Sequence, residues 1–393
     1  MTKWETVKLG DYVEQIRGVS YKPADLREFG SRNSIPILRA HNVQDSGLNY
    51  NDLVFVDSKK VSQKQLLQLG DIVVCASSGS KNLVGKAAQV VEGCEASFGA
   101  FCKVVRTTKI DQNYLSYYFQ GAEYRCTISQ LAAGANINNI RNEHIDNLEI
   151  PLPPLSEQRR LAAILDEADA IRKTRAESLR LLDELVKSTF LDMFGDPVSN
   201  PMGWEIKTIG DLVEVSTGKT PSRTNPSYFE GTIPWVKTTE VNGAVIKETE
   251  ESISENAVKE CTLKIFPVGS IIVALYGQGK TRGRSAILGI PATTNQACAV
   301  LFPSKKCETG YLFSFLQNTY ERLRELGRGG NQPNLNLSII REFPLPLPPV
   351  SLQRRFSDFV QEVERQRESV RSALAESENL FASLSQRAFR GEL

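Results

Sequence analysis

Two stretches of the chain carry apolar residues at alternating spacings of three and four. The first runs through Leu161, Ile164, Ala168, Ile171, Leu182 and Leu185. The second runs through Phe356, Phe359, Val363, Val370, Leu374 and Phe381, and continues to Leu384 and Ala388. This spacing is the stripe of a coiled coil, and the remaining positions are mostly Glu, Arg, Lys and Gln. Each stretch predicts a helix of about 35 to 40 residues, ~55 Å long. A stripe that narrow does not hold a lone helix of this length, so the two are expected to pack on each other, antiparallel. The alternative, in which each helix lies on its own globular unit, stays open. Arg175 and Ser178 interrupt the first stripe and Gln366 the second, which predicts a middle that is polar or locally open.

A second regime precedes each helix. Short apolar or β-branched runs, broken by Gly, Pro and Asn, predict strands. They are "SIPIL", "DIVVCA" and "FCKVV", and later "TIPWV", "SIIVAL" and "AVLF". "QNYLSYYFQ" and "TGYLFSFLQNTYERLREL" predict helices packed on them. Pro-rich hinges at 151–154 and 346–349 end each regime. The residue before a proline disfavours helix, so the chain should be extended there and turn helical just after, with Ser156 and Ser351 as N-caps.

The two regimes occur twice because the sequence does. "WETVKLGDYVEQIRG" at 4–18 returns as "WEIKTIGDLVEVSTG" at 204–218, and "PLPPLSEQRR" at 151–160 returns as "PLPPVSLQRR" at 346–355. Between them, "IPILRAHNV" answers "IPWVKTTEV", "LGDIVVCASSGSK" answers "VGSIIVALYGQGK", and "GANINNI" answers "GGNQPNL", all in the same order. An internal repeat of this length means one structural unit built twice. Trp4 and Trp204 read as anchors for the first strand of each copy.

Composition changes this picture little. The 393 residues carry 47 Lys and Arg against 46 Asp and Glu, a net charge of +1. A nucleic-acid binder of this composition must concentrate its basic residues locally. Seven scattered cysteines without C-x-x-C spacing indicate reduced thiols and a cytoplasmic location. Two histidines, His41 and His144, exclude a His-rich metal site, so no metal is expected. No apolar run is long enough for a membrane span, and the N-terminus has no signal-peptide core.

One loop, "YGQGKTRG" at 276–283, imitates a phosphate-binding loop. A Walker loop needs Gly, four residues, then Gly-Lys-Ser/Thr, but Ala274 stands where the first glycine belongs. The residues after Thr281 predict a strand, so no helix N-terminus faces a phosphate. The other G-K-T, at 218–220, has Val213 at the glycine position. Both copies do keep a strand, a Gly/Ser-rich loop, basic residues and a second strand. Copy one offers Lys81 and Lys86; copy two offers Gln278, Lys280, Arg282 and Arg284. Such side chains neutralise phosphates or read base edges, and a unit repeated twice suits the two halves of a DNA site. A solvated basic hairpin tip is the competing reading.

The ordered, duplicated landmarks resemble the specificity subunits of type I restriction–modification enzymes. The resemblance rests on the hinges "IPLPPLSEQRR" and "LPLPPVSLQRR", the start signature W…LGD…G, "STGKTPSR" at 216–223, and the two Gly/Asn/Gln segments. It covers nearly the whole chain. It implies an α+β fold of two repeated globular target-recognition domains, each a twisted β-sheet with small helices. Two long antiparallel coiled-coil helices separate them, with pseudo-two-fold symmetry. The implied domains are residues 1–150, hinge and helix at 151–198, residues 199–345, and hinge and helix at 346–393. Each domain is expected to read one half of a bipartite, asymmetric double-stranded DNA target, while the helix pair fixes the spacer. Expected partners are two modification (methyltransferase) subunits that methylate adenine N6 and two restriction subunits that translocate and cleave. S-adenosylmethionine, ATP and Mg are expected on those partners and none in this chain.

The residues agree on the missing chemistry. There is no Asp/Asn-Pro-Pro-aromatic motif for adenine methylation, and no strand ends in a glycine fingerprint for a methyl donor. Candidate DNA contacts are Arg39, His41, Lys81, Lys86 and Asn136 in copy one. In copy two they are Lys237, Gln278, Lys280, Arg282, Arg284 and Gln332. A coiled-coil adaptor presenting two like domains to proteins is the alternative function.

Overall fold

The computed structural model describes residues 4–80, 83–93, 95–131, 138–277, 279–327 and 334–393. The chain forms two units, Met1–Ala176 with Ser372–Leu393, and Glu177–Arg371. The division runs through both long helices, Leu155–Phe194 and Val350–Arg390, so each unit owns part of each.

In the first unit, four antiparallel strands lie in the order Ala87–Gln89, Ile72–Cys75, Cys102–Arg106, Glu14–Arg17. A second sheet holds Ser97–Phe98, Ser34–Leu38, Val54–Asp57 and Leu26–Arg27. The strand period of two divides the side chains between two cores. Ile72 and Val74 face the helix Gln112–Gln120 with Tyr114, Leu115 and Phe119, while Val73 packs with Leu38, Phe98 and Val104 between the sheets.

The second unit repeats this plan. Its sheet runs Val215–Thr217, Cys298–Leu301, Ile271–Ala274, Ser285–Leu288, with Val245–Ile246 added in parallel at the edge. Ile271 and Val273 face Tyr311 and Phe315, and Ile272 faces Val236 and Phe266. The predicted long helix after Glu308 is broken: Thr309–Asn318 and Tyr320–Glu325 are separate helices, with the Thr319 hydroxyl donating to the Phe315 carbonyl at 2.8 Å.

In each unit the strand of the start signature pairs with the hinge, Thr6–Lys8 with Glu149–Pro151 and Glu205–Thr208 with Pro344–Leu347. The signature glycines allow a close backbone approach. A Cβ on Gly18 would lie 2.1 Å from the Gly99 carbonyl oxygen, and one on Gly218 only 1.8 Å from that of Thr294. Trp4 packs on the first core, and the Trp204 indole donates to the Phe194 carbonyl at 3.0 Å.

The long helices begin one residue before the expected serines. Pro154 O accepts from the Glu157 and Gln158 amides, and Pro349 O from those of Leu352 and Gln353, so the prolines are the caps and Ser156 and Ser351 lie within the first turn. Both helices run together, in opposite directions, within each unit. In the first unit Arg172 stacks on Phe381, and Arg175 donates to Ala373 O and the Ser377 hydroxyl. In the second, Phe190 packs edge-on against Phe356, and Arg367 donates to Asp183 at 2.6 Å. The same segments also enter the globular cores: Leu161, Leu165, Ala168, Phe381 and Ala388 in one, Phe190, Phe194 and Phe356 in the other. The two packing alternatives therefore coexist.

The second stripe lies in this seam: Phe356, Val363 and Phe381 are buried, and Phe359, Val370 and Leu374 half-buried. The first stripe is partly out of phase. Leu161 and Ala168 are buried and Ile164 and Leu182 half-buried, but Ile171 and Leu185 stand 47% and 44% exposed. The inward line continues instead through buried Leu165, half-buried Arg172, Arg175 and Val186, and buried Phe190. The arginines enter it through their guanidinium groups, Arg172 stacked on Phe381 and Arg175 bonded to Ala373 O and the Ser377 hydroxyl. The interrupted middle is polar, as expected.

Candidate nucleic-acid interface

The basic loops are built alike in both units. In the first, Gly85 N donates to Cys75 O and Cys75 N to Lys86 O, each at 2.8 Å. In the second, Gly283 N donates to Ala274 O at 2.8 Å and Ala274 N to Arg284 O at 2.9 Å. Lys86 and Arg284 thus occupy the same position in one repeated turn. Gly85 and Gly283 have φ of 81° and 82°, the left-handed region where glycine costs least. An arginine from the neighbouring helix grips each loop: Arg125 donates to Val84 O at 3.1 Å, and Arg324 to Gly279 O at 2.8 Å. The Tyr320 hydroxyl adds a bond to Lys280 O at 2.5 Å. Ser285–Leu288 follows this loop as a strand, which removes the nucleotide-binding reading.

The described ends of the Gly/Asn/Gln segments bond to residues just before these loops. Asn138–Asn139 pairs with Ser77–Ser78, Ile140 N donates to Ala76 O at 2.7 Å, and Leu335 N donates to Leu275 O at 3.0 Å. Lys81, Asn136, Gln278 and Gln332 lie outside the described residues.

Several of the remaining candidates are paired with acids. Arg39 donates to the Asp52 carboxylate at 2.9 Å, and His41 Nε2 lies 3.6 Å from the same carboxylate. Lys86 meets Asp45 at 2.6 Å. Lys237 meets Glu250 at 2.7 Å and Glu251 at 3.0 Å, and these hydrogen bonds hold its ammonium above the ordinary lysine range. Arg223 and then Lys237 hold the Glu251 carboxyl below the usual carboxylate range. Lys280 is exposed and Arg284 half-buried, and neither meets an acidic group among the described residues. Arg282 is half-buried in the same loop.

Sequence reading did not single out Arg223, the last residue of "STGKTPSR". Its guanidinium stacks 4.1 Å over Phe229 and pairs with Glu251 at 2.7 Å. Nor did it find the acids. Asp52 follows Arg39 by thirteen positions, and Glu250 follows Lys237 by the same thirteen. That shared spacing was the available signal.

Among the described residues no group of His, Cys, Asp and Glu could hold a metal ion, and no helix is long and apolar enough to cross a membrane. Two long helices and two copies of one basic turn define a protein built from a duplicated unit. The chain belongs to the type I restriction modification DNA specificity domain family, whose model matches residues 1–181 and again 201–376. It is 29% identical over 415 residues to the type I restriction enzyme StySPI specificity subunit of Salmonella potsdam, covering 99% of this chain and 89% of that one. It is 27% identical over 421 residues to the EcoKI specificity subunit of Escherichia coli K12, with the same two coverages, 99% and 89%. The fold matches the S subunit of the type I restriction–modification system from M. genitalium, with a TM-score of 0.58 at 15% identity over 99% of this chain and 96% of that one. Membership favours a DNA sequence-specificity subunit over an adaptor for proteins.

Proposed function

We propose that each unit reads one half of a bipartite, asymmetric DNA sequence and that the chain directs catalysis performed by other subunits. The observation that carries this reading is the duplicated turn, with Lys86 and Arg284 in the same position of two units whose loops otherwise differ. Base-edge contacts specify and phosphate contacts position. One turn per half-site, with different side chains, suits a target with two unlike halves. In this reading the long helices fix the number of unread base pairs. They also dock two modification subunits, which bring S-adenosylmethionine and methylate adenine N6. Two restriction subunits complete the cytoplasmic complex and use ATP and Mg to translocate and cleave.

The test is to express the chain with its modification subunit in a methylation-free host and map N6-methyladenine. The reading expects a two-part motif with a fixed gap. An assembled, active complex that methylates a single continuous motif, or none, contradicts it.

A further inference from the structure

Two candidate cations outside the recognition loops, Arg39 and Lys237, are held by acids, and the holding is built the same way twice. Asn42 accepts from the Arg39 amide through Oδ1 at 2.8 Å, and its Nδ2 donates to Asn49 O at 2.8 Å and Asn51 O at 2.9 Å. It thereby fixes the backbone that delivers Asp52 to Arg39. In the second unit Glu240 does the same with different chemistry. It accepts from the Lys237 amide at 2.7 Å and from the Glu250 amide at 2.9 Å. Both loops, 39–52 and 237–250, are closed by an ion pair between their first and last residues.

Stability does not account for the acids. Asp52 is 83% exposed, and an exposed ion pair contributes little to folding. Asp52 also sits at φ 55°, a backbone conformation that most side chains avoid. What the pairs do change is the electrostatic face: Arg39, His41 and Lys237 each confront a carboxylate oxygen.

We infer that Asp52 and Glu250 are specificity-determining residues that stand in for DNA phosphate, so that only a duplex offering further base contacts displaces them. This rests on the DNA-reading function proposed above. Neutralising phosphates drives sequence-independent binding, and an internal carboxylate withholds that part of the affinity from non-specific DNA. Discrimination between target and non-target then rises at the expense of raw affinity. The near-neutral chain is consistent with this arrangement.

The test uses the full chain assembled with its modification subunits and two duplexes of equal length, one containing the methylated motif and one lacking it. Asp52→Asn is the informative variant, because asparagine tolerates the left-handed backbone while losing the charge. The expected result is a several-fold tighter grip on the motif-free duplex and a smaller ratio between the two. The non-specific salt dependence should steepen by about 0.9 in log–log slope for each freed cation. The pair Glu250→Gln and Glu251→Gln should act alike through Lys237. If wild type selects its motif but Asp52→Asn leaves motif-free binding and its salt slope unchanged, the inference falls and the DNA reading stands. If the variant melts early and loses both duplexes together, the acid is a structural clasp and the inference again falls. A wild-type complex that binds neither duplex overturns the DNA reading and this inference with it.

Discussion

The amide of Asp111 donates to Oε1 of Gln158 at 2.8 Å, tying the start of the domain helix Gln112–Gln120 to the start of the long helix. Gln158 Nε2 donates to Pro153 O at 2.8 Å, and the side chain is 3% exposed. Gln353 repeats the arrangement, accepting from Glu308 N at 3.0 Å and donating to Pro348 O at 2.7 Å. Two tyrosine hydroxyls bind the hinges beside them, Tyr114 to Pro151 O at 2.8 Å and Tyr311 to Pro346 O at 2.5 Å. The glutamine of "PLPPxSxQRR" is thus the clasp between globular unit and helix. Gln158→Ala leaves the Asp111 amide and the Pro153 carbonyl without these partners, and should cost about 1–3 kcal/mol. Denaturant unfolding, followed by a probe in the first unit, reads this; an unchanged midpoint would show that the clasp carries no load.

The phase of the first long helix gives a sharp contrast. Phe190 packs against Phe194, Tyr311 and Phe356, whereas Leu185 is exposed. Phe190→Ala should cost about 3–5 kcal/mol. Leu185→Ala in the same unit should stay within about 0.5 kcal/mol in the free chain. Equal effects in thermal unfolding would place the seam elsewhere.

Recognition should be separable by unit. Lys86→Ala should weaken only one half-site, and Arg284→Ala or Arg282→Ala only the other. A lost base contact costs about 1–3 kcal/mol and relaxes one position, whereas a lost phosphate contact weakens all sequences alike. Competition binding with duplexes scrambled in one half distinguishes these outcomes. A variant that weakened both halves equally would contradict modular reading.

Thiol chemistry follows from burial. The described cysteines are free, and Cys126 is exposed. Desolvation pushes the Cys75 thiol up to about 11 and that of Cys307 to about 12, and raises Cys102 and Cys298 further. A thiolate forms only as pH approaches the pKa, so at pH 8 these four stay protonated as well as covered. Alkylation of the native chain should mark Cys126 before the four buried cysteines, and labelling of Cys75 at a similar rate would show that the first core opens.

Much of this was legible in the sequence. Internal repetition announced two like units, and the β-branched runs at Ser34–Leu38, Ile72–Cys75 and Ile271–Ala274 are strands. The long helices were legible as helices, but not the phase of the first. Ile171 and Leu185 were read as seam residues from residue type, while Arg172 and Arg175 meet the partner helix beside Ile171, and Val186 turns inward beside Leu185. Buried Gln158 was illegible because its value lies in partners 47 and 5 residues away. At the candidate site the basic residues could be listed from sequence, but not their state. Whether Arg39 faces solvent or Asp52 depends on a loop that Asn42 folds back.

The measurement that tests the central claim most directly is methylation mapping of a chimaera. Residues 199–345 are exchanged for the corresponding stretch of a relative with a different motif, and the chain is expressed with its modification subunit. The account predicts that one half of the motif changes to the donor's, while the other half and the gap between them persist. A change in both halves, or an unchanged motif from an active complex, would contradict it.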